Sequence, residues 1–355
     1  MNASMSAQRA PLSDGRWHFQ HGPIDIVIGA EGEPAAVKLA HQAAWQRFET
    51  VLEEIVAELP VLRQPILSDG PLPLARQCPH GAVAQRMWNA CSPFRAGFIT
   101  PMAAVAGSVA QELIASYARP GIERAWVNNG GDIALHLTPG QSLRVGLFAD
   151  LADLDAALSD VLGDRLGDAL GDACGDLPGH QGLQGVRSLE GLATHAQCEI
   201  GFAMPVRGIA TSGWRGRSFS LGIADSATVF AKTAAMADAA ATVIANAVNV
   251  AHPGIVRRPA CDIRDDSDLG ATRVTVDVPR LPLDHIRRAL TAGRREAESL
   301  QQRGLIDSAV LVCQGQWMQV GCQTGVLADS LLQKPPCIPS QPKRHGSTSN
   351  KSALP

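Results

Sequence analysis

Alternating apolar and polar residues in "RWHFQHG" and "IDIVIGA" predict two strands joined at Gly22-Pro23. The period then changes: Val37, Ala40, Ala44, Phe48, Val51 and Ile55 recur at helical spacing and predict a helix from about Pro34 to Leu59. The proline-rich stretch from Pro60 to Cys78 reads as an extended connection. In "FITPMAAVAGSVAQELIASYARPG", Thr100 is placed to cap a helix whose first position is Pro101, and Pro120-Gly121 ends it after about five turns. "ERAWV" and the apolar run from Ile133 predict two strands around the glycine-rich turn of "VNNGGDIAL". Further on, "CEIGFAMPV" and "GIATSGWRGRSFSLGIADSATVFA" precede a long Ala-rich helix from about Ala231 to Val250. A strand at "ATRVTVDVP", a helix from about Pro282 to Arg303 and a strand pair around "SAVLVCQGQWMQVG" follow. Strand pairs covered by helices predict an α+β fold of two interwoven sheet-and-helix layers.

Residues 159 to 187 break this pattern, because "LGDRLGDALGDACGD" repeats Gly-Asp every four residues from Gly163 to Asp176. Leu162, Leu166 and Leu170 keep one apolar face, but each mid-helix Gly costs roughly 1 kcal/mol relative to Ala. The spacing matches neither an EF-hand nor a nonapeptide calcium repeat, so 159–187 reads as an inserted low-complexity segment. Residues 334 to 355 are polar and proline-rich and read as a disordered tail.

A chain of 355 residues that is 45% hydrophobic can bury a sizeable core. Thirty-one basic against 34 acidic residues give a net charge of −3, which offers no electrostatic footprint for nucleic acid or an anionic membrane. A small-molecule partner is expected instead. The first residues hold no apolar segment long enough for a signal-peptide core, and no 18-residue apolar run follows, so a cytoplasmic protein without membrane insertion is expected. Eight cysteines include no Cys-x-x-Cys pair, which argues against structural zinc and a redox motif. The P-loop, the dinucleotide fingerprint, His-Glu-x-x-His and Gly-x-Ser-x-Gly are all missing. The ten histidines are spread singly, and His80 and His252 read as structural or exposed.

Three stretches remain as candidate chemistry. Asn129, Gly130, Gly131 and Asp132 make an ordinary hairpin turn, yet the same glycine amides and carboxylate could hold a ligand. Thr211, Ser212 and Gly213 could grip phosphate, although ordinary turns use the same residues. Asp238, Thr242 and Asn246 form an i, i+4 stripe on an otherwise apolar helix. An ionised Asp there needs a partner: a hard cation with Thr242 as second ligand, a capping role, or a basic residue such as Arg215 or Arg217. Spacing leaves these alternatives open.

Taken in order, "TPMAAVAGSVAQELI", "VNNGGDIAL", "GIATSG" and "GIADSATVFAKTAAMADAAATVIANAV" resemble the ApbE-like superfamily of FAD:protein FMN transferases, and within it a short, uncharacterised branch. The resemblance spans about residues 15 to 325, outside the insert and the tail. It implies Mg²⁺-assisted binding of FAD or a related nucleotide, with flavin transfer to a protein acceptor. It also implies Asp238 and Thr242 as metal ligands, Asn129, Gly130, Gly131 and Asp132 beside the nucleotide, and Thr211, Ser212 and Gly213 as the Thr-Ser-Gly turn. Ala106-Gly107 stands where those transferases carry Lys-Gly, and their His-Ile-x-Asp-Pro segment is missing. The alternative these differences imply is a non-catalytic nucleotide-binding or interaction module with a convergent polar cleft.

Overall fold

The structure, a computed structural model, describes residues 6–66, 79–147, 196–265 and 267–321. The segment 159–187 and the tail 334–355 lie outside the described residues. The fold is α+β. In chain order it contains β1 (Gln8–Pro11), β2 (Trp17–His21), β3 (Ile24–Gly32), α1 (Pro34–Leu62), α2 (Ala82–Cys91), α3 (Val105–Ile114), β4 (Ile122–Asn129) and β5 (Asp132–Leu137). Then follow β6 (Ser142–Leu147), β7 (Ala196–Gly201), β8 (Gly208–Ser212), β9 (Ser226–Ala231) and α4 (Ala234–Ala247). The last elements are β10 (Val256–Pro259), β11 (Arg273–Asp277), α5 (Leu283–Gln302), β12 (Ser308–Cys313) and β13 (Gln316–Val320).

Nine strands form one antiparallel sheet in the order β1-β2-β3-β4-β5-β8-β9-β12-β13, while β6–β7 and β10–β11 are two-stranded ribbons. Over the first half, Phe19, Ile26 and Ile28 of the sheet pack against Ala44, Phe48 and Val51 of α1 and Val109 and Leu113 of α3. Over the second half, Ala210, Val229 and Leu311 pack against the alanines and Ile244 of α4 and against Ala289 and Leu290 of α5. The opposite sheet face is also covered there: Ile209, Phe230 and Val310 meet Leu147, Cys198 and Ile200 of the β6–β7 ribbon. Burial on both faces explains why "SATVFA" and "SAVLVC" are continuous apolar runs without alternation. Among the described residues, no helix is long and apolar enough to cross a membrane.

Several boundaries differ from the sequence pattern for identifiable reasons. The single helix predicted from Pro101 is a 3-10 turn over Pro101–Ala104, then α3, then a second 3-10 turn over Ala115–Tyr117. Thr100 makes no side-chain cap; its hydroxyl donates to Asp268 Oδ2 at 2.6 Å. The Ala-rich helix begins at Ala234 and not Ala231, because Ala231 pairs with Gly208 in the sheet and Thr233 caps the helix by accepting from the Met236 N–H. α1 runs on to Leu62 because Pro60 falls in its last turn, close to where the helix ends in any case. Neither α2 nor β10 stands out in the sequence pattern.

Candidate functional site

The site begins with the turn between β4 and β5. Asn129 pairs with Asp132, leaving Gly130 at φ +65° and Gly131 at φ +107° as the two turn residues. Positive φ at both positions is the hairpin geometry that favours glycine. The Asn128 side chain stiffens the turn by accepting the Gly131 N–H at 2.8 Å. Asn129 is buried and its Nδ2 donates to the Ala106 carbonyl at 3.1 Å, tying the turn to the start of α3.

Asp132 follows directly, where the sheet opens. β5 and β8 pair only at Ile133–Ile209 and Ala134–Gly208, and beyond that point the Thr211 N–H donates to Asp132 Oδ1 at 3.3 Å. The carboxylate thus takes a main-chain donor where the ladder ends. The Thr211 hydroxyl lies 2.9 Å from the Thr228 hydroxyl on β9. Thr211 and Ser212 are therefore the end of β8, not the middle of an open turn. Gly213 is required for packing, since a Cβ there would overlap the Asp225 main chain.

From the other side comes α4. The Gly107 N–H donates to Asp238 Oδ2 at 2.8 Å, and the Ala106 N–H bonds the same carboxylate. α3 has no side-chain cap of its own, so Asp238 supplies the acceptor for its first turn from a different helix. Of the open alternatives for Asp238, the geometry provides capping. The close crossing depends on Gly107, because a Cβ there would lie 2.8 Å from Asp238 Cβ and overlap the Ala234 carbonyl.

The structure therefore brings Asn129, Gly130, Gly131, Asp132, Thr211 and Asp238 to one junction. Ser212 and Gly213 lie at its border on the β8 exit. Thr242 sits half-buried one turn along α4 from Asp238. Asn246 does other work: its Oδ1 accepts from the Leu221 N–H at 2.8 Å and the Ser220 hydroxyl at 3.1 Å. The polar stripe is thus divided between a junction residue and a loop anchor.

Asp132 and Asp238 keep partial solvent contact but are closely surrounded by protein. Burial raises both carboxyls, Asp238 up to about 7, and the Asp238 charge raises Asp132 further, well above the usual carboxylate range. The bonds from Gly107 and Ala106 act in the opposite direction at Asp238. The Thr211 N–H and the Arg217 charge do so at Asp132. Arg217 lies on the loop after β8, and its guanidinium sits 3.3 Å from where a Gly130 Cβ would be. The sequence suggests Arg217 only as a partner for Asp238; the structure sets it against the Gly-Gly turn beside Asp132. Its position three residues beyond Trp214 on a glycine-containing loop is the available signal. Among the described residues, no three His, Cys, Asp or Glu side chains gather where they could hold a metal ion. The junction has two carboxylates.

Comparison with known proteins adds a family. The family model described as AbpE bacteria matches residues 8–319. A UPF0280 protein of Methanosphaerula palustris is 29% identical over 241 residues, covering 68% of this chain and 79% of the relative. A UPF0280 protein of Methanopyrus kandleri is 30% identical over 243 residues, with 68% and 78% covered. One from Methanosarcina acetivorans is 28% identical over 250 residues, with 70% and 77% covered.

Proposed function

The chain belongs to the AbpE bacteria family and to the UPF0280 proteins, and from that premise we propose that it is an ApbE-like protein binding FAD or a related nucleotide with Mg²⁺. The observation that carries the reading is the Asp132–Asp238 pair. Two carboxylates of like charge with depressed acidity, at a surface-contacting junction, are stabilised by either a proton or a hard cation. Asp238 and Thr242 are the proposed ligands from the resemblance, and Asp132 is the oxygen donor that the geometry adds. Mg²⁺ retains several waters, so a short set of protein oxygens fits it. When bound, the ion would offset the carboxylate charge and polarise a phosphate oxygen.

The chain's own groups divide the remaining work. The Gly130 amide and the Arg217 guanidinium present positive charge to a pyrophosphate, while the Gly131 N–H, bonded to Asn128, holds the turn in shape. Asn129 fixes the turn against α3, and Thr211 fixes the Asp132 carboxylate. Ser212 and Gly213 border the same site. Flavin transfer to a protein acceptor needs donors aimed at charge that develops in the transition state, and losing one typically costs about a hundredfold or more in rate. Ala106 supplies no side-chain charge where the transferases have lysine. That position, together with the capping work already done by Asp238, favours a second reading in which the protein binds the nucleotide without transferring flavin.

Titration of the full chain with FAD, with and without Mg²⁺, tests both. Mg²⁺-dependent binding that disappears in Asp238→Ala is expected, with little AMP release. Robust Asp238-dependent AMP release restores an ordinary transferase, and absence of nucleotide binding overturns the proposal.

A further inference from the structure

We infer that the protein carries a second ligand site, for a phosphate group, on the β10–β11 ribbon, where Arg257 and Arg273 bring their guanidinium groups to one face beside the buried hydroxyl of Thr275. The pairing register puts them there, since Arg257 lies opposite Thr275 and Pro259 opposite Arg273. Paired residues of an antiparallel ribbon share a face, and so do residues two apart along one strand. The ribbon is a sheet of its own and contributes nothing to the Asp132–Asp238 junction, so this site stands independently of the function proposed above.

Two contacts hold the arginines close without neutralising them. Arg273 Nη2 donates to the Arg257 carbonyl at 2.5 Å, and Arg257 Nη2 donates to Asn249 Oδ1 at 2.6 Å. Both acceptors are uncharged, and each guanidinium keeps further N–H donors. Among the described residues, no carboxylate bonds either one. Asp277, two residues beyond Thr275 on β11, is exposed at the end of the strand. Burial lowers the Arg257 guanidinium from its ordinary value, and the Arg273 charge lowers it further. Two like charges are thus kept together on a part-buried surface, an arrangement that a bound anion relieves.

Thr275 adds a second, independent sign. It is buried and its N–H donates to the Ser220 carbonyl at 2.8 Å, yet its hydroxyl has no hydrogen-bond partner among the described residues. A buried hydroxyl left unpaired is unfavourable, and an oxygen of a bound anion can accept from it. Two guanidiniums and a hydroxyl match a phosphate dianion in charge and in acceptor oxygens, whereas a monocarboxylate leaves one positive charge uncompensated. The site is also ordered in advance: Asn249, which holds Arg257, donates through Nδ2 to the Leu221 carbonyl at 3.1 Å. Such ordering reduces the cost of binding. Arg273 is exposed, which leaves the face open to solvent.

The test is calorimetric titration of the full chain, in chelator, with inorganic phosphate, phenyl phosphate and acetate. Saturable binding of inorganic phosphate, tighter than of acetate, is expected. Equal or tighter binding of phenyl phosphate identifies an esterified phosphate as the ligand, and weaker binding identifies the free ion. Arg273→Gln keeps a side-chain N–H for the Arg257 carbonyl but removes the charge; it should weaken binding about tenfold or more, with partial recovery in Arg273→Lys. Arg217→Ala should leave the affinity unchanged. No saturable binding of inorganic phosphate, equal affinity for acetate, or binding insensitive to Arg273→Gln overturns the assignment. Loss in Arg217→Ala also overturns it, by moving the anion to the Gly130–Gly131 turn.

Discussion

Replacing Asp238 by Asn should stabilise the protein at pH 8 when divalent cations are removed, and should do so much less at pH 5. The folded protein holds this carboxyl at about 7 against an ordinary 3.8. Between those values the folded state keeps a proton that the unfolded chain has released, so stability falls as pH rises through the interval. At about 1.36 kcal/mol per pH unit, the full displacement sets an upper bound of about 4 kcal/mol on the cost of the ionised group. Solvent contact and relaxation reduce this to about 2 kcal/mol. The variant retains a carbonyl oxygen for the Ala106 and Gly107 N–H groups, losing only the charge assistance, about 1 kcal/mol. The balance is a gain of about 1 kcal/mol for the variant at pH 8 that shrinks to a few tenths of a kcal/mol, on the order of a third of it, at pH 5, where the folded wild type keeps its proton but the unfolded chain has already released it. Urea unfolding with a chelator at both pH values measures the two differences. Adding Mg²⁺ at pH 8 should reverse the order, because only the wild type gains binding energy, about 2.7 kcal/mol at a hundredfold excess over Kd. An Asn variant less stable than wild type at pH 8 in chelator, or a difference that does not change with pH, would refute the account of the carboxylate pair.

Gly107→Ala tests the helix crossing: helix propensity favours Ala by about 1 kcal/mol, but the overlap with Ala234 and Asp238 should outweigh it and leave a net loss of about 1–3 kcal/mol in chemical denaturation. Gly131→Ala should cost about 1–2 kcal/mol from its φ of +107° and weaken Mg²⁺-dependent FAD binding; unchanged affinity would remove the turn from the site. Asn246→Ala should lower stability by about 1–3 kcal/mol through the stranded Leu221 and Ser220 donors while leaving FAD affinity as it was, and a change in affinity would return Asn246 to the site.

The α+β class and most of the helices and strands were legible in the sequence because they rest on local physics. Period-2 and helical apolar spacing mark β2, β3 and α1, and a hairpin of Asn-Asn-Gly-Gly-Asp needs only positive φ at two glycines. Local signals misplaced the boundaries where a distant partner won. Thr100 looks like a helix cap but bonds Asp268, and α3 receives its capping carboxylate from Asp238 on another helix. No spacing rule connects those residues, since the interaction depends on α4 crossing α3 at Gly107. The same holds for the carboxylate pair: motif and resemblance each select Asp132 and Asp238, but their mutual effect arises only because β5 ends where β8 diverges and α4 packs across the gap. Asn246 and Asp238 belong to one i, i+4 polar stripe, and tertiary contacts assign one to a loop and the other to the junction. Sequence determined which residues could be polar, apolar or turn-forming over a few positions. Tertiary structure decided which carboxylates share a site, because burial and charge coupling depend on distances in space that chain spacing does not encode.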